Sequence, residues 1–248
     1  AAGRGERMRP LTDTCPKPLL PAGGKPLVVH QIEALARAGH RDIAINAAHL
    51  ADRLVGALGD GAAFGVRLRW SREAEPLETA GGIATAFPLL AAGPVLIVSG
   101  DLWTAYDYAA LAPTIAAMRA DPAAPRVHLV MVPNPPYHPR GDFALWPPGP
   151  AGDAAPDGIP RGGGSHRGRI VALPTNLDPP ALTFGNIGVY DTALFAELPR
   201  GTPLKLLPLF QQWIAAGIVA GERFDGPWAN VGTPDDLARL DAALADPA

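Results

Sequence analysis

The stretch AAGRGERMRPLTDTCPKPLLP, residues 1–21, gathers the side chains best suited to gripping an anion. Gly3 and Gly5 flank Arg4, so the backbone can approach a ligand closely and turn its N–H groups toward it. Arg7 and Lys17 add two cations. Pro16 and Pro18 fix φ on both sides of Lys17, which lowers the entropy lost when its ammonium meets a phosphate. A surface turn with solvated charges would explain any one of these residues, but not the glycines, the arginines and Pro-Lys-Pro together. Neither common phosphate loop fits. A dinucleotide fingerprint needs a third glycine where Met8 stands, and Pro10 is hostile to a helix running through it. A Walker loop would need a glycine at Leu19 and a hydroxyl residue at Pro26 around Gly24-Lys25.

The bulk properties narrow what such a loop can serve. A formal net charge of −3 over 248 residues gives no global attraction to nucleic acid or acidic lipid, so a small anionic ligand fits better than a polymer. No apolar run approaches the roughly 18 residues that would span a bilayer. The single cysteine, Cys15, excludes an internal disulfide framework and a multi-cysteine zinc site. No signal-peptide pattern precedes the loop, and a cytoplasmic protein is the expectation. A loop of this kind normally follows a buried strand; here no apolar run comes before it, which leaves open a strand missing from the N-terminus.

The elements that must position the loop follow from periodicity. PLVVHQIEALARAG sets Val28, Ile32, Leu35 and Ala36 on one helical face, and DIAIN reads as a strand around Ile43 and Ile45. HLADRLVGALG is helical through Leu50, Leu54 and Leu58, VRLRW alternates as a strand, and GGIATAFPLL is helical until Pro88. PVLIVSGD has the continuous apolar run of a strand buried on both faces. This alternation to about residue 120 argues for βαβ units. In the second half RVHLVMVP, DFALW, GRIVAL and LTFGNIGVYD read as strands, the middle two paired. LKLLPLFQQWIAAG is amphipathic, and a final helix begins with Thr233 as N-cap and Pro234 at its first position. The Gly- and Pro-rich segment over 147–168 predicts a mobile surface loop without chemistry. We find no internal repeat. The expected fold is a single α/β domain, 1–248: a Rossmann-like (GT-A-like) mixed, mostly parallel sheet flanked by helices. Residues 1–120 form its nucleotide-binding half and 121–248 a smaller sugar-binding part.

The opening stretch, with Ala2 to Pro26 in step almost position by position, resembles the signature G-x-G-x-R-[LM]-x-P-L-T-x(3)-P-K-P-[LM] of the sugar-1-phosphate nucleotidylyltransferases. In that family a sugar 1-phosphate attacks the α-phosphorus of a nucleoside triphosphate and releases pyrophosphate. The resemblance implies that Ala2, Gly3, Arg4, Gly5 and Glu6 bind the triphosphate, that Arg7 faces the leaving pyrophosphate, and that Lys17 bridges oxygens near the α-phosphorus. A divalent metal, Mg²⁺, is implied as well, because two polyanions must approach one another. Asp101, after Gly100 at the end of a buried strand, matches the family's metal aspartate. The second metal ligand of the family lies in a D-[VI]-G-T segment, where this chain reads NVGT. Asn230 therefore offers a neutral carbonyl oxygen, unless nearby Asp225 or water takes the role.

The same resemblance puts base selection on EAEPLETAGGI, with Pro76 and Glu78 in the loop and Gly81 and Gly82 letting a base lie against the backbone. For the sugar it points to Gly141 and Asp142, Asn186 and Lys205; Lys205 is the candidate substitute for a lysine that many relatives carry where this chain reads VALPTN, the alternative being a lysine at a helix start with its head in water. EPLETAGGI, GDLWT, GDF and LKLLPL in a short chain are most similar to the N-acetylmuramate-1-phosphate uridylyltransferases of cell-wall recycling. UTP and a sugar 1-phosphate are then the partners, with no nucleic acid and no membrane, and oligomeric state is not legible. Another base and sugar, such as glucose or mannose 1-phosphate with dTTP or GTP, is one alternative. A nucleotide-sugar sensor without turnover, suggested by Asn230, is the other. The six histidines show no metal spacing and are expected to be structural or on the surface.

Overall fold

A computed structural model describes residues 3–146, 167–172 and 181–245. The first half lays down a short hairpin, β1 (Pro21–Ala22) and β2 (Lys25–Pro26), then α1 (Leu27–Arg37), β3 (Asp42–Ala47), α2 (Ala51–Leu58), β4 (Arg67–Arg72), α3 (Glu78–Ala86) and β5 (Pro94–Val98). β6 (Leu102–Thr104) and α4 (Ala112–Ala120) lead into β7 (Val127–Val132). Then come β8 (Phe143–Trp146), β9 (Arg167–Ala172), β10 (Ala181–Asp191), α5 (Leu206–Ala215), β11 (Val219–Arg223), β12 (Trp228–Asn230) and α6 (Pro234–Ala245). Leu27, Val28, Ile32, Leu35 and Ala36 are all buried on α1, as their spacing requires. α6 opens with a reciprocal cap: Asp236 N–H donates to Thr233 Oγ1, and Asp236 Oδ2 accepts from the N–H groups of Gly232 and Thr233.

The main sheet has strand order β5-β10-β7-β11-β9-β8. β10 is antiparallel to β5 and β7, and β11 is parallel to β7, so β5, β7, β8 and β11 point one way and β9 and β10 the other. The layout is thus mixed, with most strands co-directional. β8 also pairs with the start of β10, so pairing runs through β10, β7, β11, β9 and β8 and returns to β10. β7 is buried at all six positions, which its run of apolar residues and one histidine allows because His128 is held by Glu222. α5 lies against this sheet through an aromatic cluster in which Phe210 and Trp213 meet Tyr190 and Phe195 at centroid distances of 5.7–6.3 Å. Such pairs contribute about 0.5–1.5 kcal/mol each beyond area burial. They fix the helix that Lys205 caps.

β5 departs from its sequence pattern. Only Pro94 is buried, and Val95 to Val98 are half-buried. The reason is that β5 ends the sheet, pairing with β10 alone, while β3 pairs in parallel with β4 alone. α1 nevertheless packs on Ile43 of β3 together with Leu96 and Val98 of β5, and on the other side Ile83 of α3 packs with Ile97. The two sheets therefore share flanking helices although no described strand joins them. Residues 147–166 of the expected mobile loop, and the VALPTN positions from 173, lie outside the described residues; Arg167 and Gly168 belong to β9 rather than to a loop. Among the described residues no helix is long and apolar enough to cross a membrane.

Candidate active site

The opening loop has a buried frame and an exposed charged rim. Gly5 adopts φ +64°, and a Cβ there would lie 2.9 Å from Thr12 Cγ2 and 3.4 Å from Lys17 Cβ, so a glycine is needed for the turn to close. Thr12, 1% exposed, donates from Oγ1 to Gly5 O at 2.8 Å. His49 Nε2 contacts Thr12 O at 3.0 Å, and Arg53 donates to Thr14 O. Met8 is fully buried among Leu27, Val231 and Leu240. Against this frame Gly3, Arg4, Glu6 and Arg7 are exposed. Ala2 lies outside the described residues.

Lys17 opens a short 3₁₀ turn after Pro16, and its ammonium lies 2.5 Å from Asp101 Oδ2. Two residues 84 apart in sequence thus form one charged pair, whose side chains are 13% and 29% exposed. Burial works to raise the Asp101 pKa, but the Lys17 charge and hydrogen bond, helped by Ser99, overcome it and hold the carboxyl below its ordinary range. Asp101 therefore stays an anion.

Asp101 is also tied to the late NVGT segment. β12 pairs with β6, setting Asn230 opposite Leu102, and Val231 N–H donates to Asp101 O at 3.0 Å. Trp228 Nε1 donates to Gly185 O at 2.9 Å, next to a register shift in β10 where Asn186 takes φ +57°. Asn186 O accepts from Ser99 N–H at 3.1 Å, which places this residue beside Gly100 at the end of β5. A Cβ on Gly232 would lie 3.4 Å from Arg7 Nη2, so Arg7 rests over the same segment. Arg7, Lys17, Asp101, Asn186 and Asn230 are gathered at one edge. Asp225 is instead engaged by Arg223 at 2.7 Å. Among the described residues no group of three or more His, Cys, Asp or Glu could hold a metal, so a cation at Asp101 would draw on amide and ligand oxygens. Four of the histidines behave as expected of structural residues, since His30, His49, His128 and His138 each have a hydrogen-bond partner, and His166 lies outside the described residues.

Two expectations change at the atomic level. Gly81 and Gly82 lack side chains because the chain itself fills their space. A Cβ on Gly81 would stand 2.2 Å from Thr202 O, and one on Gly82 3.0 Å from Glu73 Oε1. The Gly81 N–H is committed to Leu204 O at 3.2 Å. Leu204 O also accepts from Ala80 N–H and Leu204 N–H donates to Leu77 O, so the segment before Lys205 is fastened to the start of α3. Lys205 is exposed at the N-cap of α5, with no ion pair among the described residues. Asp142 is likewise occupied: Oδ2 accepts from Phe184 N–H at 2.8 Å and Oδ1 faces His138 Nε2 at 3.1 Å. Gly141, at φ +64°, leaves no room for a side chain against Asn134 Oδ1 and Leu182 O. Glu73, the first residue of EAEPLETAGGI, is buried and, with Asn46, which sequence reasoning missed, holds the 74–82 segment; a lone acid ending a strand gives no signal that it turns inward.

Residues 1–138 match the Nucleotidyl transferase family. Over 246 residues, 99% of this chain and 95% of the relative, the sequence is 41% identical to an N-acetylmuramate alpha-1-phosphate uridylyltransferase of Neisseria meningitidis. It is 31% identical over 258 residues to the protein of the same name from Caulobacter vibrioides, again covering 99% and 95%. A solved structure described as a glucose-1-phosphate thymidylyltransferase of Bacillus anthracis superposes with a TM-score of 0.75 at 19% identity, covering 99% of this chain and 93% of its own. The signature in the opening loop, the site edge it builds and the family match agree: the chain belongs to the nucleotidyl transferase family.

Proposed function

We propose that this chain transfers UMP from UTP to N-acetylmuramate 1-phosphate, giving UDP-N-acetylmuramate and pyrophosphate. The observation that carries the reading is 41% identity, end to end, to a relative named for that activity; the convergence of Arg7, Lys17 and Asp101 on one edge supports it. A sugar-phosphate oxygen attacks the α-phosphorus, the bond to the bridging oxygen breaks, and pyrophosphate leaves. Lys17 moves its charge from Asp101 to the phosphate oxygens as they arrive, and Arg7 stabilises the leaving pyrophosphate. Gly3 to Glu6 lie along the triphosphate, with Pro76, Glu78 and Gly100 around the nucleoside. Asn186 and Lys205 face the sugar phosphate.

Asp101 supplies an anionic oxygen and Asn230 a neutral one, a donor set that suits Mg²⁺, which takes few protein ligands and completes its shell with water and phosphate. When bound, the ion would neutralise charge on the phosphates. In this reading residues 1–120 take the nucleotide and 121–248 the sugar, and the enzyme serves peptidoglycan recycling in the cytoplasm. Pyrophosphate release from UTP, dTTP, CTP, GTP and ATP, each paired with 1-phosphates of N-acetylmuramate, N-acetylglucosamine, glucose and mannose, tests the reading. UTP with N-acetylmuramate 1-phosphate should give the highest kcat/KM. A higher value for another pair would reassign base or sugar. Binding without release across the panel would favour a sensor, the reading that Asn230 in place of aspartate suggests.

A further inference from the structure

Leu102 directly follows Asp101 and stands opposite Asn230, so the short ribbon of β6 and β12, a sheet of its own, carries both oxygens offered to a cation. Within it Asp101 O accepts from Val231 N–H at 3.0 Å, and Ala105 N–H donates to Pro227 O at 2.9 Å. Successive residues of an antiparallel pair turn their backbone groups inward and outward, so the Leu102 carbonyl faces away from β12. Leu102 is fully buried, and a buried carbonyl must find a donor.

That donor comes from α1. Gln31, 3% exposed, is the polar residue on a buried face otherwise made of Leu27, Val28, Val29, Ile32, Leu35 and Ala36. Its Nε2 donates to Leu102 O at 2.8 Å, between residues 71 apart in sequence. The buried Tyr108 donates its hydroxyl to Gln31 Oε1. A backbone carbonyl can only accept, so Leu102 O fixes which end of the amide is nitrogen, and the hydroxyl must then be the donor to the other end. Burial pushes the Tyr108 hydroxyl above its ordinary range, which keeps that proton in place. An apolar side chain here would complete the face of α1 without burying an amide, so helix packing does not explain the residue.

α1 also seats the other partner of the charged pair. Leu19, in the turn that Lys17 opens, packs on the cluster containing Val28 and Val29, and Leu27 N–H donates to Leu20 O at 3.1 Å. Apolar packing has no preferred direction, whereas a hydrogen bond has one, so the Gln31 bond gives the Asp101 side a defined attachment to the helix that carries Lys17.

We propose that Gln31, locked by Tyr108, is a positioning residue that fixes the β6–β12 ribbon on α1 and so sets where Asp101 and Asn230 stand relative to Lys17 and a bound divalent cation. The inference rests on the nucleotidyl-transfer reading above. Both side chains are buried and act through the Leu102 peptide alone.

Gln31→Met keeps the length of the side chain and removes both bonds, while Tyr108→Phe removes the hydroxyl and leaves the amide free to turn. For each variant the Kd for UTP is measured by calorimetry in Mg²⁺ and in EDTA, beside steady-state pyrophosphate release. In Gln31→Met the gain in UTP affinity that Mg²⁺ confers should shrink about tenfold and kcat should fall about tenfold, because a small misplacement of ligating groups carries a cost of this order. The Kd in EDTA and the KM for sugar phosphate should both stay within about twofold. Tyr108→Phe should shift the same two quantities in the same direction by about threefold, and it carries the test if Gln31→Met does not fold. An unchanged Mg²⁺-dependent gain, an equal loss of UTP affinity in Mg²⁺ and in EDTA, or unfolding of both variants would overturn the proposal. Turnover by the unaltered protein with the gain intact in both variants removes Gln31 and leaves the enzymatic reading standing. No turnover by the unaltered protein, with the gain lost in the variants, does the reverse.

Discussion

Two glycine turns at the site, Gly3 to Arg7 and Gly141 to Asp142, look alike in composition yet differ in what they leave available. In the first, the bonds that hold the turn come from Thr12, His49 and the backbone, so the Arg4 and Arg7 side chains remain in solvent. In the second, the charged residue itself supplies the bonds, and both Asp142 oxygens are used on Phe184 and His138. A polar residue in a motif position is therefore informative about ligand binding only when other groups build the turn around it. Lys17 and Asp101 lie between these cases: they engage each other at 2.5 Å, and an ion pair can exchange partners when a phosphate arrives.

The comparison is broken most decisively at Lys17. Lys17→Ala should lower kcat about 10²–10³-fold, the usual loss when one charge-stabilising donor at a reacting phosphate is removed. Steady-state pyrophosphate release measures it, and circular dichroism must show an intact fold. Asp142→Ala should act on stability instead: it strips the acceptor from the Phe184 N–H and costs about 1–3 kcal/mol. Urea unfolding reads that loss, while kcat/KM at saturating partner substrate stays within about threefold. A large fall in kcat/KM without a stability change would place Asp142 among the substrate contacts and collapse the distinction between the turns.

The smallest effect is in acid. Asp101 has its pKa lowered from 3.8 and Glu222 from 4.5; burial opposes the shift in both, and the paired donors prevail. A lowered folded-state pKa gives stability that is present above the ordinary carboxylate value and lost as pH falls through the lowered one. The urea midpoint should therefore be insensitive to these two groups above about pH 5 and decline below it. Asp101→Asn should make the decline shallower.

Local signals were read well from sequence. The cap at Thr233, the apolar face of α1 and the strand over RVHLVMVP are short-range patterns, and each recurs in the structure. The opening signature was legible because its residue types are consecutive. What escaped depends on contacts distant in sequence. Nothing near Gly81 announces that Thr202 O will occupy its Cβ position, and β12, three residues long, is too short for periodicity to reveal the ribbon that brings Asn230 to residue 102. β5 carries the composition of a fully covered strand but has a neighbour on one side only. The burial of Glu73 was hidden because RLRWSRE has no polarity pattern that marks its last acid as inward-facing.

β10 pairs at once with β5, β7 and β8, so three neighbours read its position like a common ruler. A one-residue slip would turn Ile187 and Val189 out of the core and lose all three alignments together. The irregularity at Asn186 is held by that redundancy, and its backbone carbonyl keeps its station beside the Ser99 N–H. Accuracy at this point of the site is thus a property of the whole sheet, and distant substitutions that loosen β7 or β8 would be felt there as misalignment.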